Sequence, residues 1–124
     1  MGISWNGPSA FGMTYRSFHA LQTSIARAGV LDSGAASTMT PTQLLDLYEC
    51  VRRLERQDPI RWFVTQGEDG ALELGQCEVL SRRLTPVLDK LLQGSVSDDC
   101  LDGLDWFLRE LVEAVRLKQR ITWG

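Results

Sequence analysis

The chain has little of what most function classes require. It holds one histidine and three cysteines in 124 residues. Cys50, Cys77 and Cys100 are odd in number and far apart, which disfavours a disulfide framework and fits reduced thiols buried as small hydrophobes. Neither among themselves nor with His19 do they show ligand spacing such as Cys-x₂-Cys, so a zinc site is not expected. No apolar run approaches the roughly 20 residues of a membrane-crossing helix. The stretch from Met1 to Gly7 lacks the basic flank and apolar core of a secretory signal, and Asn6 stands where myristoylation needs Ser or Thr. There is no basic stripe, and the net charge is −3, so nucleic acid is not an expected partner. The glycines form neither a phosphate-binding loop nor a dinucleotide fingerprint. These absences lead us to expect a cytoplasmic chain with no metal, no cofactor, and neither membrane nor nucleic acid as partner.

What is present is an ordinary globular composition, 44% hydrophobic and 23% charged. The length suits a single domain with its own core. The stretch the rest is organised around runs from Arg61 to Leu74. Trp62, Phe63 and Val64 read as an apolar strand over 60–64. Asp69-Gly70 reads as a tight turn, because Gly tolerates positive φ and Asp bonds its own backbone. A second short strand is expected over 71–74, and an amphipathic helix follows with Cys77, Leu80, Leu84, Leu88 and Leu91 on one face. Pro86 interrupts that pattern and is expected to kink or split the helix near Arg83 to Thr85.

Around this centre, residues 3–5 and 121–123 read as two further short strands, and Asn6-Gly7-Pro8 as a turn. Thr14 is expected to cap a helix carrying Tyr15, Phe18, Leu21 or Gln22, and Ile25, closed by Gly29. Residues 29–40 read as a loop. Thr40-Pro41-Thr42-Gln43 has the form of a capping box with Pro at the first helical position. That helix is expected to bury Leu44, Leu47, Tyr48, Val51 and Leu54 and to stop at Asp58-Pro59. Ser97 is expected to cap the last helix, whose apolar stripe is Leu101, Leu104, Leu108, Leu111 or Val112, and Val115. The sum is an α+β fold, mostly helical, with about four helices and a small sheet.

The opening Met1-Gly2-Ile3 with an aromatic-bearing helix, and the Asp69-Gly70 turn followed by Cys77 on a Leu-rich helix, together resemble a group of small uncharacterised bacterial and phage proteins. That group carries a turn of the type His-Ser-Asp-Cys-Asp-Gly-Glu-Leu, a helix with an early Cys, another helix and a short apolar tail. Asp69, Gly70, Leu72 and Cys77 match; Thr65 and Gly67 replace the group's His and first Asp. The resemblance implies a layout of elements and brings no activity with it.

Candidate chemistry is sparse. With Gly70 as the invariant glycine of a calcium loop, Thr65, Gly67 and Gln76 fall where carboxylates are required, so a structural turn is the expectation. A Cys77–His19 nucleophile pair would need an orienting partner and an oxyanion site that nothing in the sequence supplies. On the last helix, Asp98, Asp102 and Asp105 share one face at i, i+4, i+7, with Arg109 a turn further on. This acidic stripe reads either as a solvated face that compensates the helix dipole or as the docking face for a basic protein partner, with self-association compatible. The sequence thus points first to a non-enzymatic protein-binding module of the accessory, inhibitor or immunity type. The alternative is a small-ligand binder or minimal enzyme with a Trp-lined pocket edged by His19, Trp62 and Cys77.

Overall fold

The computed structural model describes residues 2–94 and 98–124, with Asp98 and Asp99 described only as part of a helix. The expected cap at Ser97 lies outside the described residues. The chain starts as a β-hairpin: β1 (Gly2–Asn6) pairs antiparallel with β2 (Ala10–Thr14), Trp5 opposite Phe11 and Ile3 opposite Met13. The return strand β2 runs through Gly12, a residue with weak strand propensity, held by its pairing with β1. β1 also pairs with β4 (Ile121–Trp123), which pairs with β3 (Gly70–Leu72). The sheet order is β2-β1-β4-β3, antiparallel throughout.

Six α-helices are found among the described residues, so the fold is α+β and mostly helical. The first, α1 (Tyr15–Ser33), is capped by Thr14, whose hydroxyl accepts the Ser17 N–H. It does not end at Gly29. Gly29 is buried, and a Cβ there would lie 2.8 Å from Leu54 Cδ2 and 2.9 Å from Ile60 Cδ1. Its bare backbone lets two core side chains approach, and the cap is Gly34 at φ 82°. The last residues of α1, from Gly29 to Ser33, and a 3₁₀ turn, Ala35–Thr38, together fill most of what reads as loop.

The Thr40–Gln43 capping box forms in both directions, but the helix it starts, α2 (Pro41–Leu44), lasts one turn. Asp46 then caps a new helix, α3 (Leu47–Arg53), by accepting the Glu49 N–H at 3.1 Å. The break changes the phase of the apolar stripe: Cys50 and Leu54 turn inward, while Tyr48 is left 71% exposed.

Residues 60–64 correct the sequence reading. They form a short helix, α4 (Arg61–Val64), not a strand. The N–H groups of Arg61 and Trp62 bond back to Asp58 O and Pro59 O at 3.0 Å, and Asp58 Oδ1 accepts the Ile60 N–H. Burial follows the helical period: Ile60, Phe63 and Val64 are inside and Trp62 is half-buried. Gln22, buried on α1, closes α4 by donating to Phe63 O and Gln66 O at 3.0 and 2.7 Å.

Asp69-Gly70 therefore joins a helix to a strand and is not a hairpin turn. Gly70 does not have positive φ. It is needed because a Cβ would sit 2.3 Å from Gln66 Oε1 and 2.7 Å from the Trp123 ring. α5 (Leu74–Leu92) starts at a Glu73–Gln76 capping box and runs unbroken through Pro86, which is exposed, so the carbonyl it leaves unbonded stands on the wet face. α6 (Asp98–Leu117) ends where Lys118 adopts φ 54°.

The core is aromatic at its centre. Phe63 stacks on Phe107 at 4.4 Å and meets the edges or faces of Trp123, Phe18 and Trp5 at 5.3, 5.8 and 6.3 Å. Trp5 stacks on Trp123 at 5.7 Å. Rings from β1, α1, α4, α6 and β4 thus converge, tying the sheet to the helices.

Candidate functional site

Two of the sheet's features set up a groove. The first is the alternation of the β1–β2 hairpin, which puts Phe11 and Met13 on the same sheet face as their partners Trp5 and Ile3, the face the helices cover. The second is that the helical layer is incomplete below β2. Trp5 and Ile3 are fully buried, but Phe11, on the edge strand, is 42% exposed. Between β2, α1 and α6 lies an open groove of about 730 Å³. Phe11, Met13, Leu21 and Trp106 form its apolar walls, small residues such as Ser24 and Gly103 leave it room, and Asp102 stands at its rim. Phe11 meets Trp106 edge-on at 5.7 Å, and Trp106 leans on Trp5 at 5.3 Å, so the groove floor is continuous with the core.

α6 is held against the hairpin by a carboxylate. Glu110 lies on the same helix as Asp102 and Asp105 but is only 5% exposed. Its Oε1 accepts the Trp5 indole N–H at 2.9 Å and the Ser9 backbone N–H at 3.1 Å, and its Oε2 accepts the Ser9 hydroxyl at 2.9 Å. Gln119 adds a bond to Gly7 O at 3.0 Å. The hairpin turn is thereby fixed over α6, and β2 with it.

The sequence-derived site residues are divided. Asp102 is exposed and borders the groove. Asp105 is paired with Arg109 along the helix at 3.0 Å, and both border a separate cleft with Leu108 and Val112. Of Asp98 only the helical backbone is described. Of the second set, His19 is exposed and borders two clefts beside Leu45, neither of which has Trp62 or Cys77 in its walls. Trp62 packs half-buried against the core. Cys77 is fully buried on α5 with its thiol 3.7 Å from Leu72 O.

Burial pushes the Cys77 thiol from its ordinary 9.0 up to about 11, with the Glu73 carboxylate adding to the rise. Burial does the same to Cys50, also to about 11, partly opposed by Arg27. Both stay protonated at neutral pH, which makes them poor nucleophiles and poor metal ligands. Among the described residues, no three His, Cys, Asp or Glu side chains gather as a metal set. What the groove offers is apolar contact with one acidic group at its edge, which is the chemistry of binding.

Sequence reasoning missed Phe11, Met13, Leu21 and Trp106. The available signal was the apolar alternation Phe11, Met13 after a Gly-Pro turn, which marks a return strand. No helix of the described residues is long and apolar enough to cross a membrane. Comparison with protein-family models, with curated proteins and with solved structures finds no match to this chain.

Proposed function

We propose that this protein is a non-enzymatic protein-binding module that masks a partner by seating it in the groove between β2, α1 and α6. The carrying observation is that groove: an apolar cleft with a large exposed aromatic, Phe11, whose position is fixed by the Glu110 bonds. Large aromatics anchored at one edge and exposed at the other are the usual energetic centres of interfaces. Asp102 keeps the role assigned to it on the acidic stripe, now at the rim of an apolar surface. Three fully buried, unpaired thiols suit a cytoplasmic setting.

The test is affinity capture from the source cells with the whole chain as bait, comparing wild type, Phe11→Glu and Tyr48→Glu. Tyr48 lies on the His19 cleft, away from the groove. Wild type and Tyr48→Glu are expected to retain one stoichiometric protein. Phe11→Glu is expected to lose it by about thirtyfold or more in affinity, as at an interface hot spot. A partner indifferent to Phe11→Glu, or a retained small molecule in place of a protein, would overturn the reading; the small molecule would favour a ligand pocket walled by Trp106.

A further inference from the structure

The groove lies along a sheet edge, and the two edges of this sheet are treated differently. Ser4 exchanges both backbone bonds with Gly124, at 3.0 and 3.3 Å, so it faces β4. Its neighbours Ile3 and Trp5 then face β2 and bond to Met13 and Phe11. The backbone groups of Ala10 and Gly12 are left pointing away from the sheet, and no backbone bond from outside the hairpin reaches them among the described residues. At the opposite edge the same alternation turns Ala71 outward. There Gln66 closes it: its carboxamide donates to Ala71 O at 2.8 Å and accepts the Ala71 N–H at 3.1 Å, in place of a neighbouring strand. β2 has no such cover. Nor do residues Ala10–Thr14 include a charge or a proline, the devices that blunt an open edge.

We propose that β2 takes up an extended segment of a partner protein as an added strand, apolar at alternate positions and carrying a Lys or Arg that reaches Asp102. This rests on the reading of the groove as the partner site and specifies how the site is filled. An added strand would satisfy the outward N–H and C=O of Ala10 and Gly12. Every second side chain would enter the groove beside Phe11, Leu21 and Trp106. Asp102 makes no ion pair with any described residue, so the rim asks for a cation. The β2 strand of a second copy has no basic residue to offer it.

The probes are terminally blocked hexapeptides with Leu or Val at alternate positions, Thr between them, and Lys, Glu or Ser at one end of the apolar set. Binding to the ¹⁵N-labelled full chain is followed by amide shifts and amide hydrogen exchange. The Lys peptide is expected to bind best and to slow exchange at Ala10 and Gly12. Asp102→Lys is expected to weaken it about fivefold at low salt and to improve the Glu peptide. N-methylation of the peptide amides that face β2 is expected to abolish binding, while methylation of the intervening amides leaves it intact. Binding that tolerates both methylation patterns would overturn strand addition and leave the groove as a partner site. So would a captured partner that needs Phe11 but leaves Ala10 and Gly12 exchange unchanged. Concentration-dependent dimers lost in Phe11→Glu, with no peptide bound, would replace the partner with a second copy. No peptide bound, and a captured partner indifferent to Phe11, would sink both readings.

Discussion

Phe63→Ala is expected to destabilise the fold by about 3–5 kcal/mol, the range for truncating a buried aromatic. Phe63 is fully buried and is in ring contact with Phe18, Phe107, Trp5 and Trp123. Removing it opens a cavity where α1, α4, α6 and two strands converge, and the aromatic pairs lost add to the cost of the missing area. Against a total stability of about 5–15 kcal/mol, this is a large fraction. The thermal midpoint should drop by about 10–20 °C. Urea unfolding of Phe63→Ala beside Phe63→Leu measures it: Leu refills most of the volume and should cost clearly less. A loss under about 1 kcal/mol for the Ala variant would mean that the ring cluster is not the centre of the core.

Glu110→Ala is expected to cost about 2–4 kcal/mol, although it deletes a surface-type residue from an amphipathic helix. The carboxylate accepts three bonds. Without it the Trp5 indole N–H, on a side chain with no exposure, is left buried and unsatisfied. Removing a buried charge also removes its own desolvation cost, which keeps the figure below the sum of the three bonds. Glu110→Gln retains an acceptor for Trp5 and should cost about half as much. Glu110→Leu restores packing but not the acceptor, so it should stay near the Ala value. Denaturant midpoints followed by Trp fluorescence and by far-UV circular dichroism check this ordering. A neutral Glu110→Leu would show that packing, not the bonds, holds the hairpin to α6.

What was legible in the sequence was local. The Thr14 cap, the Thr40–Gln43 capping box, the amphipathic helix after Glu73 and the strands at Ile3–Trp5 and Ile121–Trp123 depend on neighbours a few residues away, and the structure contains each of them. What was not legible depends on distant partners. Trp62-Phe63-Val64 has strand propensity, but Asp58-Pro59 starts a turn. Bonds from Arg61 to Val51 O and from Gln22 to Phe63 O then hold it as helix. Gly29 looks like a helix stop until Leu54 and Ile60 are seen to need its missing side chain. Glu110 shares the charge of Asp102 and Asp105, and nothing near it in sequence says that Trp5 and Ser9, more than 100 residues away, will bury it. The candidate site was half legible for the same reason. Asp102 was found as part of a charge pattern, while Phe11, Leu21 and Trp106 come together only once the hairpin is docked on α1 and α6.

The difference between the two sheet edges is the centre of the functional reading, and residue-resolved amide hydrogen exchange on the free, monomeric protein tests it most directly. The amides of Phe11 and Met13, bonded to β1, and of Ala71, bonded to Gln66, should be protected. Those of Ala10 and Gly12 should exchange as fast as open loop positions. If Ala10 and Gly12 are instead as protected as Phe11 and Met13 with no partner present, the β2 edge is already closed and no strand can be added there.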